Sequence, residues 1–304
     1  MSGRLVGNLI GFVAMAAWAT QFPLLAKLLE TWDPVLMAAA RTLIPGIALL
    51  LVAGLMGALR GLSLHISFDV MIVGGAGLGA ATVLFVVGQS LTHPITASVI
   101  VSTLPLCSAI IGFATGEEKI TPKLSAAIAL ALVGGMVCAL AGKSQNLEFQ
   151  GGELFILAGV FLFAWYTRAS LRRFAHLAPT TQAGITTLAA GYVCFVVFAL
   201  CLPAGLAEIR LDLTPNGLLL LAWICIGSLA LSMALWFWAS RELGVTVAGM
   251  HHNMVPFYVV LMSTAFGAEV LPGHVLGAAL VIAGAVLAQL PSPKRRLVAR
   301  QGAE

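Results

Sequence analysis

Ala17-Trp18-Ala19-Thr20 and Ala164-Trp165-Tyr166-Thr167 are the stretches on which the fold of this chain turns, because the second repeats the first 147 residues later. Three more landmarks return in the same order. Gly77 comes back as Gly227 after 150 residues, and Pro105 and Glu118 come back as Pro256 and Glu269 after 151. Offsets that drift so little predict two halves built on one plan.

Composition says what solvent those halves meet. Apolar residues make up 60% of the 304-residue chain and charged residues 9%. Soluble domains carry about a quarter charged residues, because their surface faces water. Lipid is therefore the expected solvent. The formal charge of +4 is small, and the basic residues are not interleaved with stacking aromatics, so nucleic acid is not an expected partner. The five cysteines fall in apolar stretches without a CxxC pair and read as small packing residues.

Crossing a hydrocarbon layer of ~30 Å takes about 20 helical residues. Ten such runs are expected at 6–29, 34–57, 69–90, 95–115, 121–141, 151–172, 180–203, 215–239, 245–266 and 273–290. They are read as helices, because open strands leave backbone groups unpaired in lipid. With the N-terminus in the cytoplasm, twelve Lys and Arg residues fall on the cytoplasmic side and three outside, with Arg41 inside a span. That excess sets both termini in the cytoplasm. Five crossings per half is an odd number, so the second half enters from the opposite side. The expected fold is an all-α integral membrane protein of ten transmembrane helices in two inverted five-helix repeats. Residues 1–143 form the first repeat; residues 144–304 form the second and a short basic cytoplasmic tail.

Two turns carry a family resemblance. Gly112-Phe113-Ala114-Thr115-Gly116-Glu117-Glu118-Lys119-Ile120-Thr121-Pro122 leads into a Gly-Gly-containing fifth span, and Ala265-Phe266-Gly267-Ala268-Glu269-Val270-Leu271-Pro272-Gly273 leads into a tenth span with Gly277 and Gly284. This apolar helix, small-x-Glu turn and Gly-rich helix, once per half, resembles the EamA-type transporters of the drug/metabolite transporter superfamily. The first-span tryptophan and Arg41 in Ala40-Arg41-Thr42-Leu43 also look like that family. The resemblance implies an inner-membrane carrier, commonly exporting amino acids or other small metabolites. It also implies a cavity lined by spans 1, 3, 4, 6, 8 and 9, with spans 5 and 10 bracing the halves from outside.

Candidate site residues each have two readings. Trp18 and Trp165 lie deep in their spans and form either cavity walls or packing contacts. Trp32, Trp236 and Trp238 sit near span ends and read as an interfacial belt. Polar residues inside spans are costly in lipid and generally face the interior; Thr20, Gln21, Gln89, Ser98, Ser102 and Thr103 form such a set. Pro105 frees a carbonyl on the face shared by Ser98 and Ser102, and Pro256 follows His251, His252 and Asn253, with Tyr258 beyond. Adjacent histidines point about 100° apart on a helix, so one of His251 and His252 is expected to face a cavity, either to carry a proton or as a polar helix end. They lack the i, i+4 spacing of helical zinc sites, so no metal is expected. Arg41 either snorkels outward or turns inward onto a carboxylate.

No Asp or Glu sits in the interior of a predicted span, Asp69 and Glu153 lying at span ends, which argues against carboxylate-based proton coupling. The leading expectation is an inner-membrane exporter of an amino acid or similar small amphipathic solute, working by alternating access without a cofactor, as a monomer or weak homodimer. An uptake carrier or a passive channel of the same fold is the alternative. A polytopic membrane enzyme stands further off, because neither HExxH nor GxSxG occurs.

Overall fold

The computed structural model describes residues 3–59, 67–92, 94–141, 151–263 and 271–290. Every element in those residues is helical. In chain order they are α1 (Gly3–Leu29), α2 (Pro34–Leu55), α3 (Phe68–Ser90), α4 (Pro94–Val101 and Leu104–Ala114) and α5 (Pro122–Leu140). The second half supplies α6 (Glu153–Arg173), α7 (Pro179–Cys201), α8 (Pro215–Leu243), α9 (Val245–Gly249, Met250–Met254 and Val255–Ser263) and α10 (Pro272–Gln289). Among the described residues seven helices, α1 to α4 and α6 to α8, are long and apolar enough to cross a membrane. The chain is an all-α integral membrane protein. The landmarks Gly267 and Glu269 lie outside the described residues.

The helix starts follow from local chemistry. Proline occupies the first turn of α2, α5, α7, α8 and α10, where its missing N–H has no helical partner to lose. Asp33, Thr121 and Thr214 cap three of these by accepting first-turn N–H groups. Between α8 and α9, Gly244 makes the turn at φ 81°.

Packing pairs each helix with one from the other half. The most extensive contacts are α2 on α7 and α5 on α10, followed by α1 on α8 and α3 on α6. Exchange the halves and this pattern maps onto itself: α1 on α8 becomes α6 on α3. Bare backbone makes the tight pairs possible. A Cβ on Gly134 of α5 would stand 2.7 Å from the Gly277 carbonyl of α10, and one on Gly284 would stand 2.7 Å from the Ala127 carbonyl. Without a hydrophobic drive between helices in lipid, this close approach and its dispersion contacts hold the pair.

Gly134→Val and Gly284→Val are therefore expected to lower the thermal midpoint of the purified protein in detergent, each at a cost of about 1–3 kcal/mol. Leu276→Ala, at a position 56% exposed on α10, is the comparison that should leave the midpoint nearly unchanged.

Candidate functional site

Three helices are interrupted, each just ahead of a proline. Pro23 cannot donate to Ala19, and α1 breaks at Thr20. Pro105 cannot donate to Val101, and α4 breaks at Ser102 and Thr103. Pro256 cannot donate to His252, and α9 tightens into a 3-10 turn over Met250–Met254. Two more helices loosen at matching places: α3 is π-helical over Met71–Leu78 and α8 over Trp223–Ala230, around the repeated Gly77 and Gly227. π-helical widenings are frequent at functional sites.

These irregular segments surround a cavity. Its walls come from α1, α3, α4, α6, α8 and α9, with further residues from α2 and α7 and none from α5 or α10. All its lining residues lie at least five residues inside their helices, or roughly 7 Å at the helical rise.

Aromatic rings make most of one wall. Trp18 meets Phe22 edge-on at 5.1 Å, Phe85 at 6.0 Å and His252 at 5.4 Å between ring centres. His252 meets Trp236 edge-on at 4.8 Å and Phe163 at 6.3 Å. The Trp236 Nε1 donates to Thr167 Oγ1 at 3.2 Å, which fixes the ring's orientation. Trp236 is thus a core residue, 2% exposed, and not part of an interfacial belt. The reason is length: α8 runs on to Leu243, so Trp236 is not at its end.

The remaining candidates separate into groups. His252 lines the cavity, whereas His251 points to α1, with Nδ1 3.0 Å from the Ala248 carbonyl and its ring 4.8 Å from Phe12. Trp165 is not on the cavity wall; its ring covers Gly77, where a Cβ would lie 2.6 Å away. Gln89 donates to the Phe22 carbonyl at 3.0 Å and so bridges α3 to the broken part of α1. Tyr258 donates to the Phe12 carbonyl at 3.3 Å. The Ser102 hydroxyl donates to the Ser98 carbonyl at 3.1 Å. Ser102 and Asn253, equivalent places in the two halves, converge on Gly135 of α5. Gln89 and Tyr258 thus tie helices together, and Ser102 and Asn253 bond within their own helices, all beside the cavity and not on its wall.

Arg41 does not snorkel. It is 3% exposed and lines the cavity. One terminal nitrogen donates to Gln21 Oε1, and the guanidinium carbon stands 5.4 Å from the Phe85 ring centre. Its Nε and Nη1 have no hydrogen-bond partner, nor has Gln21 Nε2. Thr187, from α7, also reaches the wall with an unpartnered hydroxyl. A buried charge without a counter-charge costs on the order of several kcal/mol, so Arg41 is not there for stability.

Each end of the bundle carries a tie between the halves. At one end Arg168 of α6 donates to Ser108 at 3.1 Å, Glu117 at 3.0 Å and Thr246 at 2.7 Å, and also to Glu118. Thr246 donates to Glu118 at 2.7 Å, and Arg172 pairs with Glu117. The guanidinium lies over Gly112, where a Cβ would stand 2.6 Å away. At the other end Asp33 accepts from the Glu208 N–H at 3.1 Å, and Arg210 donates to the Glu30 and Trp32 carbonyls at 3.0 and 3.2 Å. The Glu117-Glu118 turn is a landmark in the sequence, but its partner is not legible there, because Arg168 lies 50 residues away from Glu118.

The model of the EamA-like transporter family matches this chain twice, over residues 5–140 and 150–290. The chain belongs to the EamA-like transporter family. It is a multi-pass membrane transporter. One relative is the uncharacterized transporter YyaM of Bacillus subtilis (strain 168), 26% identical over 223 residues, which are 72% of each chain. A solved crystal structure shares the fold at a TM-score of 0.74 and 22% identity, covering 98% of this chain and 99% of that one.

The two repeated tryptophans should part company on substitution. Trp165→Ala removes the ring that covers Gly77 and is expected to lower the thermal midpoint, at a cost of about 2–4 kcal/mol. Trp18→Ala, which enlarges the cavity, should cut solute flux at least about tenfold in proteoliposomes, with normal membrane insertion. Equal flux for Trp18→Ala and the unaltered protein would remove Trp18 from the site.

Proposed function

We propose that this EamA-like protein exports a small amphipathic organic solute across the inner membrane by alternating access, with amino acids the first class to test. One observation carries the reading: an aromatic cavity at mid-depth is walled by both halves, and the halves are tied together beyond it at each end. Alternating access needs those parts, a shared site and two closures that open in turn. In this reading Trp18 and His252 form walls that cargo touches. Gln21 holds Arg41, while Gln89, Ser102 and Asn253 bond backbone carbonyls beside the cavity and support that wall, and Pro105 and Pro256 mark where α4 and α9 bend.

The inverted arrangement of residues 1–143 and 144–304 has support from the helix ends. Gly7, near the start of α1, lies against Glu242 at the end of α8. Arg168, near the end of α6, lies against Thr246 at the start of α9, just beyond that α8 end. Equivalent helices α1 and α6 thus run in opposite directions. The excess of Lys and Arg on the Arg168 side is the reason to place that side, with both termini, in the cytoplasm. The Arg168 tie is then the cytoplasmic closure.

Flux of a cargo solute into proteoliposomes should saturate and show counterflow; unsaturable conductance would mark a channel instead. Arg168→Gln should loosen the cytoplasmic closure. A Val101→Cys thiol on the cavity wall, in a background without other cysteines, should then react at least about tenfold faster with a membrane-impermeant reagent applied from that side, because several charge-assisted bonds are lost. Unchanged labelling would sink the assignment of Arg168 as a closure.

A further inference from the structure

Arg41 has a chemistry that this carrier reading leaves unused. Among the described residues it is the one cation on the cavity wall, and none of them places a carboxylate there. The ion pairs among the described residues join Arg168 and Arg172 to the Glu117-Glu118 turn and Arg173 to Asp69, none of them to Arg41. Asp33, the acid nearest in sequence, is engaged as the cap of α2. The one hydrogen-bond partner of Arg41, Gln21, is uncharged, and donors remain on Nε and Nη1. The guanidinium also has an aromatic face beside it, Phe85 at 5.4 Å.

We propose that Arg41 is a binding residue for the cargo, which is an aromatic carboxylate: an organic anion whose carboxylate sits on Arg41 and whose ring lies against Trp18 and Phe85. The inference rests on the transport reading and narrows its cargo. A guanidinium is a planar fork of N–H donors that matches a carboxylate. Inside a low-dielectric cavity such a charge-assisted pair is strong. Gln21 holds the fork while leaving its charge uncompensated, so the empty site attracts an anion. The same wall offers no counter-charge to an ammonium group. A zwitterionic amino acid or an amine therefore fits less well than its deaminated analogue.

Four probes of nearly equal size separate the possibilities: 3-phenylpropionate, its amide, phenethylamine and phenylalanine. Binding to the purified full-length protein is read by tryptophan fluorescence and thermal shift. The expected order places 3-phenylpropionate at least about tenfold tighter than the amide or the amine, with phenylalanine between. Arg41→Gln should weaken 3-phenylpropionate about 10- to 100-fold and shift the amide by less than about twofold. Gln21→Glu keeps the guanidinium but gives it a permanent partner, and should cause a similar selective loss; it covers the case in which Arg41→Gln does not fold. Equal binding of acid and amide, carboxylate binding that survives both substitutions, or transport of the amine in preference to the acid would overturn the proposal. Proteoliposome flux separates this from the transport reading: selective carboxylate binding without flux of any solute would refute the carrier and leave the site standing.

Discussion

The constraint behind this structure is that a backbone in lipid must satisfy its own polar groups. Helices do so without help until a proline removes a donor, and Pro23, Pro105 and Pro256 each remove one. All three interruptions fall on helices that wall the cavity, and α5 and α10, which contribute nothing to it, have no such break. Neighbouring side chains take up nearby carbonyls. Gln89 donates to Phe22 and Ser228 donates to Trp18, on either side of the break in α1. The irregular backbone is thus covered by protein, and the helices that bear it can bend where regular helices would be stiff.

Duplication supplied the plan and divergence supplied the site. Gln21 and Arg168 stand 147 residues apart, at the same place in the two halves as Trp18 and Trp165. In the first half that place holds a neutral amide bonded to Arg41 beside the cavity. In the second it holds the cation that ties α6 to the Glu117-Glu118 turn and to Thr246. The tryptophans diverged in the same sense, one facing the cavity and the other covering Gly77. α6 has no counterpart of Pro23 and stays unbroken. A carrier with one cargo site and two closures has no use for two identical halves.

The helical order and the pairing of halves were legible in the sequence because they rest on local signals: proline starts, glycine approaches and apolar length. That a deep tryptophan and one of His251 and His252 could face a cavity was legible; which ones do so was not, since Trp165, as deep as Trp18, covers Gly77 instead. Trp236 was not, because its depth depends on how far α8 continues, and the Arg241-Glu242 pair near its end reads as a boundary. Phe85, Phe163 and Thr187 were not legible either, because nothing in an apolar helix marks which side meets a cavity instead of lipid. The role of Arg41 stayed open between two readings until its burial was known; a snorkelling arginine and a buried one have the same sequence.

An anionic cargo also bears on the driving force. None of the predicted spans carries an Asp or Glu in its interior, the group on which proton exchange through a membrane most directly rests. An inside-negative potential already favours outward movement of a single negative charge, by about 2.3 kcal/mol per 100 mV. In the proposed reading Arg41 lowers the barrier to that movement, because the charge that enters mid-depth is neutralised there. It remains with the protein when the cargo leaves, so it adds no net charge to the cycle. Electrical export of an organic anion then needs only what the cavity provides: a fixed cation, an apolar wall for the ring, and two ends that open by turns.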